Sequence, residues 1–430
     1  MKNAYPVMVG AAVLVFSAPA FADGGVSNGN TAWVLTATAL VLFMTIPGLS
    51  LFYGGLVRVK NVLSVLMQCF SITCIVSLLW LVFTYSWTFG HGNSVIGDLT
   101  NVFMRNIHAS TLKGDLPESV FAMFQLTFAI ITPALIVGAF AERIRFSSML
   151  LFCALWSIFV YSPIAHWVWG GGWLQQLGLV DFAGGTVVHV TAGTASLVCA
   201  LVIGARKGFP QTAMPPHNMT MAITGAGMLW VGWFGFNGGS ALGANGSAAM
   251  AMLVTHMSAA AGALTWMTCE WLRFGRPSAL GAVTGMVAGL GTITPASGSV
   301  GPGGALVIGI LAGLACFSAT NMMKQRMHVD DSLDVFPVHG VGGAIGTVLA
   351  GIFASTSLGV FSGQGYQQGM TMLSQTGVQV VGVLACAAYT AVVTFILLKL
   401  VDRMFGLRVS SDEETEGLDI NQHNERGYDM

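Results

Sequence analysis

Long apolar runs alternate with short polar breaks along this 430-residue chain. The runs are continuous. They lack the in-and-out alternation over roughly 10 residues that marks a membrane β-barrel strand. Most reach the ~20 residues that a helix needs to cross a bilayer. Eleven such segments are predicted, at roughly 31–57, 61–87, 119–141, 147–169, 184–204, 220–240, 247–272, 278–296, 303–323, 336–356 and 371–400. Ahead of them, Lys2 precedes an apolar stretch from Pro6 to Ala18, too short to span, and Ala20-Phe21-Ala22 has the form of a cleavage site. Residues 1–22 therefore read as a cleaved signal peptide, with an uncleaved extra helix as the alternative.

The short loops set the orientation. With the N-terminus outside, successive inner loops hold Arg58 and Lys60, Arg143 and Arg145, Arg206 and Lys207, Arg273 and Arg276, then Lys324 and Arg326. The last helix and tail add Lys399, Arg403, Arg408 and Arg426, while only Arg105 and Lys113 fall outside, in the long loop 88–118. Positive residues gather on the cytoplasmic side of membrane proteins, so the C-terminus is expected inside. Composition agrees: 54% of residues are hydrophobic and 8% charged, against about 25% charged in a soluble domain. A net charge of −1 gives no basic face for nucleic acid.

Two segments share one spacing. Asp181 precedes His189 by eight residues, and Asp331 precedes His339 by eight, with five predicted spans between the two segments. An odd number of spans inverts the topology. Eight helical residues rise about 12 Å, and half the hydrocarbon core is about 15 Å, so both histidines reach the midplane from opposite sides. Phe52-Tyr53-Gly54-Gly55 and Phe236-Asn237-Gly238-Gly239 form a second such pair, in the first and sixth spans. The expected fold is an all-α polytopic membrane protein with 11 transmembrane helices. It comprises two inverted five-helix repeats (about 31–204 and 220–356), an eleventh helix (371–403) and a cytoplasmic tail (404–430). The transmembrane domain as a whole runs from 23 to 403.

His189 and His339 are the first chemical candidates, because an ionisable group at membrane depth needs a cavity or a partner. Two imidazoles at one depth can partner each other; separate packing roles are the alternative. His256 has no symmetric mate. Asp181 could attract a cation at an outer mouth or cap its helix. Asp331 and Asp334 are expected to cap the tenth span. Glu142 and Glu270, beside basic residues, are expected in solvated ion pairs, and the acidic tail run Asp412–Glu416 in solvent or as a docking segment. Trp169, Trp233, Phe236, Phe124 and Phe128 could fill the core or, with the hydroxyl of Ser240, cage a small cation. The seven cysteines all lie in apolar runs without CxxC spacing. They read as core residues, with no disulfide or metal site and no cofactor expected.

These stretches together resemble the ammonium transporter (Amt/Mep/Rh) family, in its bacterial Amt branch. The likeness runs from about Ala32 to Gly417. It rests on Phe52-Tyr53-Gly54-Gly55, Gly138-Ala-Phe-Ala-Glu-Arg-Ile-Arg-Phe146, Asp181-Phe-Ala-Gly-Gly-Thr-Val-Val-His189, Gly232-Trp-Phe-Gly-Phe-Asn-Gly-Gly-Ser240 and Val338-His339-Gly340. The resemblance implies a homotrimer in the inner (plasma) membrane, with one pore per subunit. It implies an outer ammonium recruitment site at Trp169, Ser240 and Phe128, held in shape by Asp181. It further implies a gate of Phe128 stacked on Phe236, a pore lined by His189 and His339, and a PII-type protein on the cytoplasmic face. The acidic run Asp412–Glu416 departs from the pattern. The expected function is recruitment of ammonium, deprotonation, and conduction of ammonia through an apolar twin-histidine pore, with or without a separately carried proton. An ammonium sensor acting through the tail and a passive channel for neutral solutes are the other classes. No nucleophile triad or phosphate loop suggests an enzyme.

Overall fold

The computed structural model describes residues 25–428; the expected signal peptide lies outside the described residues. Eleven membrane-length apolar helices follow one another: α1 Asn28–Leu56, α2 Val59–Phe89, α3 Glu118–Phe140, α4 Phe146–Gln176, α5 Gly185–Ile203, α6 Met219–Gly238, α7 Gly246–Phe274, α8 Ala279–Ala296, α9 Pro302–Gln325, α10 Phe336–Phe353 and α11 Met372–Phe405. They match the predicted segments within a few residues; the regular helix of α4 stops at Trp169 as predicted, and after a break at Gly170–Gly172 a separate short turn, Trp173–Gln176, completes its range. The one sheet among the described residues is a two-stranded turn, Leu112–Lys113 with Leu116–Pro117, in the loop between α2 and α3.

Polar residues begin several helices as the sequence pattern requires. The side chains of Ser27, Asn218, Asn245 and Ser278 each accept a backbone N–H from the first turn of α1, α6, α7 and α8, and Thr371 with Ser374 forms a capping box on α11. Such caps satisfy donors the helix itself leaves open. α3 runs through the centre, with 89% of its apolar window buried, whereas α11 is peripheral, with 28% buried. Leu373, Leu384, Val392 and Ile396 on α11 point outward, as a lipid-facing stripe would.

Apolar patterning did not announce a further feature. Short π-helical segments interrupt six of the helices: Met44–Leu49 in α1, Trp80–Thr84 in α2, Ser157–Tyr161 in α4, Gly185–Val190 in α5, Phe234–Gly238 in α6 and Phe336–Val341 in α10. Those in α5 and α10 lie at equivalent positions of the two inverted repeats, each carrying its histidine, whereas those in α2 and α4 have no counterpart in α7 and α9 among the described residues. A π turn widens the helix and rotates the side chains after it. α5 and α10 then cross backbone to backbone. A Cβ added at Gly193 would stand 2.2 Å from the Gly340 nitrogen, and one at Gly343 would stand 2.7 Å from the His189 Cβ. Only glycine admits this approach, and it carries His189 and His339 to the same place.

The inner end departs from the solvated picture drawn from the sequence. Glu142 is buried at 1% exposure. It accepts from Arg58 at 2.8 Å and from Arg206 at 3.1 Å, and Arg206 in turn holds Asp330 at 2.8 Å. Burial alone would raise the Glu142 carboxyl, but Arg206 and Arg58 outweigh it and hold the group below its ordinary range. Glu270, by contrast, is in no ion pair among the described residues: it accepts the backbone N–H of Ser278 at 2.6 Å and its hydroxyl at 3.0 Å. The tail lies across this network as α12 (Ser411–Glu416) and α13 (Leu418–His423). Val409 donates to the Arg143 carbonyl at 3.1 Å. Glu414, 2% exposed, accepts from the Lys207 backbone and from Arg408, both at 2.7 Å. Asp419 accepts from Leu63 at 3.1 Å and Ser64 at 2.8 Å, thereby capping α2 from 355 residues away. The acidic run is docked because its carboxylates complete helix ends and ion pairs made by other loops.

Candidate functional site

Asp181 sets the outer end. Its carboxylate accepts from the backbone of Gly184 (2.8 Å), Gly185 (2.5 Å), Thr186 (2.7 Å) and Val187 (3.2 Å), and from the Thr186 hydroxyl (2.5 Å). These are the open donors at the start of α5. The side chain is therefore turned towards its own helix. Its backbone carbonyl accepts the indole N–H of Trp169 at 2.8 Å, so one residue both caps α5 and fixes the indole.

Trp169 lines an outer recess of about 520 Å³ together with Phe121, Gln125, Phe128, Phe182 and Ser240. The edge of Phe128 meets Trp169 at 5.7 Å and 84°. The Ser240 hydroxyl donates to the Phe236 carbonyl at 2.8 Å, which leaves its lone pairs for a donor in the recess. Gln125 was not singled out from sequence. Its Oε1 is buried without a partner among the described residues; one amide on an apolar helix gave no periodic signal. Phe124 does not line the recess. It packs behind Phe128 at 5.1 Å.

Phe128 and Phe236 stack at 4.3 Å and 37° on the floor of the recess. Below them lies a narrow chamber lined by apolar residues such as Ile131, Leu229 and Val287, with Trp233, His189 and His339. Trp233 stacks on His189 at 5.6 Å and 19°, with its indole N–H fixed on Thr294 at 2.8 Å. It belongs to the chamber rather than the outer recess. The two histidines face each other at Nδ1···Nδ1 3.1 Å. One Nδ1 must donate and the other accept. The remaining nitrogens then differ: one ring presents a bare Nε2 and the other an Nε2–H. The Nε2 of His189 is buried without a partner among the described residues.

His339 also opens on an inner recess of about 600 Å³, shared with Phe52, Tyr53, Thr284, Lys324 and Asp334. Lys324 pairs with Asp334 at 2.7 Å. Asp331 lies beside this recess, buried at 1% exposure, with one carboxylate oxygen on the Phe336 N–H at 2.7 Å and the other unpartnered. Burial, joined by Asp334, pushes its carboxyl up to about 7. Asp331 thus caps α10 as expected, whereas Asp334 serves Lys324. His256 lies away from the chamber, against Trp230 at 5.2 Å. No cluster of His, Cys, Asp and Glu among the described residues could hold a metal.

Residues 32–428 match the model of the Ammonium Transporter Family. The chain is similar to an ammonium transporter of Aquifex aeolicus, with 45% identity over 427 residues, 98% of this chain and 99% of that one. Among solved structures it is similar to a protein named Sensor Amt Protein, with TM-score 0.86, 30% identity and coverage of 92% of this chain and 98% of that chain. It is also similar to Saccharomyces cerevisiae Mep2, with TM-score 0.81, 37% identity and coverage of 90% and 92%.

Proposed function

Because the chain belongs to the ammonium transporter family, we propose that it recruits ammonium at the outer recess, strips its proton near the Phe128–Phe236 stack, and passes ammonia along His189 and His339. The observation that carries this reading is the order of environments along one line. An aromatic recess leads to stacked phenylalanines, then to an apolar chamber with a bonded histidine pair, then to a charged inner recess. The faces of Trp169 and Phe128 attract a small cation, and the lone pairs of Ser240 and Gln125 accept its N–H bonds. Ammonium and potassium satisfy the aromatic faces about equally, so the recess does not separate them.

The chamber does. A bare cation there loses several kcal/mol of hydration. Ammonium escapes that cost by leaving its proton outside, and potassium cannot. Ammonia is both donor and acceptor, so it can accept from one histidine Nε2–H and donate to the bare Nε2 of the other. His189 and His339 are held neutral in this step by sharing one proton between their Nδ1 atoms. Asp181 acts from behind, as the cap that fixes Trp169.

The same reading assigns a homotrimer in the plasma membrane, the positive loops facing the cytoplasm, and a PII-type protein meeting the inner face where the tail is docked. A sensor role is the second reading, favoured by that docking: the tail bonds to the start of α2 and to the loops after α3 and α5. A chain ending at Leu407 should keep transport and lose partner binding. The test of transport is current from proteoliposomes given an inward ammonium pulse, with internal pH recorded. Internal alkalinisation above that of empty liposomes without current supports conduction of neutral ammonia, whereas current that saturates with ammonium means that the proton crosses too. Neither signal from folded protein refutes transport and leaves the sensor.

A further inference from the structure

The end of α4 contains a buried histidine that transport as described leaves unused. His166 lies one helical turn before Trp169 and is 0% exposed. Its Nδ1 stands 2.8 Å from the Thr88 carbonyl oxygen and its Nε2 stands 2.7 Å from the Asn93 carbonyl oxygen. A carbonyl oxygen only accepts, so each contact is a hydrogen bond only if that nitrogen carries hydrogen. A neutral ring makes one bond and sets a bare lone pair against oxygen at the other. The imidazolium makes both.

Three further observations agree. His166 is in the last turn of the helical segment Ser162–Trp169, where the helix dipole favours a cation. The backbone is built around the contact: a Cβ at Gly170 would stand 2.0 Å from the Thr88 oxygen and 2.7 Å from His166 Nδ1. No second cation is bonded to the ring, and the titratable groups on the packed elements are otherwise engaged or exposed. Asp98 is held by Thr100 at 2.6 Å, Tyr85 donates to Glu118 at 2.7 Å, and Tyr389 donates to the Phe159 carbonyl at 2.8 Å. His91 is exposed.

The ring is also the centre of a clamp. Trp167 donates its indole N–H to the Val95 carbonyl at 2.8 Å, and the Trp173 backbone donates to Ser94 at 2.9 Å. The His166 carbonyl accepts from Gly170 at 3.0 Å and Gly172 at 2.9 Å, closing the helix end around Trp169. We propose that His166 is a positioning residue, held as the imidazolium by the Thr88 and Asn93 carbonyls. It pins the outer loop 88–97 to the end of α4 and so fixes Trp169 in the outer recess. This inference rests on the reading of that recess as the ammonium site.

Ala165–His166 is the only Ala–His pair in the sequence. Carbonyl-13C alanine with 13C,15N-histidine therefore isolates this one ring in the wild-type protein in proteoliposomes. Solid-state NMR should show both ring nitrogens carrying hydrogen. A neutral tautomer there overturns the proposal. In transport, His166→Gln should raise half-saturating ammonium by about fivefold with maximal flux within about twofold, the pattern of lost binding rather than lost conduction. Trp167→Phe, which removes one neutral bond of the same clamp, should shift it less than about twofold. A fall in maximal flux at unchanged half-saturation overturns the positioning role. If Trp169→Leu itself leaves half-saturation unchanged, it is the ammonium reading of the recess that fails, and the NMR result still decides the state of the ring.

Discussion

α5 and α10 enter the membrane from opposite sides through the same device, an aspartate followed by a π-helical turn and a histidine. The two aspartates are nevertheless in different states. Asp181 takes five hydrogen bonds with both oxygens. Asp331 leaves one oxygen without a partner among the described residues, and its carboxyl is pushed up to about 7. Their surroundings differ likewise: the recess outside is walled by aromatic rings, and the one inside by the Lys324–Asp334 pair. Inverted symmetry supplied the histidine pair, and each end was then furnished separately. The outer end is an aromatic recess held by a fully bonded aspartate; the inner one carries a charged pair and a partly bonded aspartate.

The comparison breaks first at the aspartates. Asp181→Ala strands several buried donors, and should cost roughly 3–5 kcal/mol and most folded protein. Asp331→Ala removes one side-chain acceptor and should cost about 1 kcal/mol; yields of detergent-stable protein separate the two. Asp331→Asn sharpens the contrast by its pH dependence. A carboxyl raised from the usual 3.8 to about 7 on folding contributes stability that is full below the unfolded value and is lost as pH rises through the folded one. The variant's gain in thermal stability over the wild type should therefore be absent below about pH 4, grow as pH rises, and level off above about pH 7. A pH-independent difference would mean that Asp331 is ionised throughout.

At the tail, Glu414→Ala leaves Arg408 and the Lys207 amide without their acceptor, at a cost of about 2 kcal/mol in docking. Limited proteolysis should then cut the chain after Leu407. At the outer recess, Trp169→Leu should raise half-saturating ammonium about thirtyfold, as loss of a desolvated cation–π contact of ~2 kcal/mol implies, whereas Lys324→Met at the inner recess should leave uptake affinity unchanged. Ser240→Ala should have the smallest effect, about threefold in half-saturation for one neutral acceptor. Flux against ammonium concentration reads all three.

What the sequence made legible follows the same division. The spans were readable because lipid demands apolar length, and the histidine pair because inversion leaves a repeated Asp–His spacing. The burial of Glu142 was not, since its partners Arg58 and Arg206 come from other loops and local charge patterning sees only neighbours. The tail was misjudged for the same reason: Asp419 caps a helix that begins more than 350 residues earlier. The π-helical turns and the His166 clamp escaped because they depend on backbone register and carbonyl positions, which side-chain types do not encode.

The central claim is that the histidine-lined chamber, not the aromatic recess, separates ammonium from potassium. His189→Ala in proteoliposomes, with potassium and ammonium currents compared in the same preparation, tests it most directly. Potassium should now carry current, because loss of the His189 ring leaves room for water beside His339 and a hydrated cation can enter. Ammonium flux that persists while potassium stays excluded would contradict the claim and move selectivity back to the outer recess.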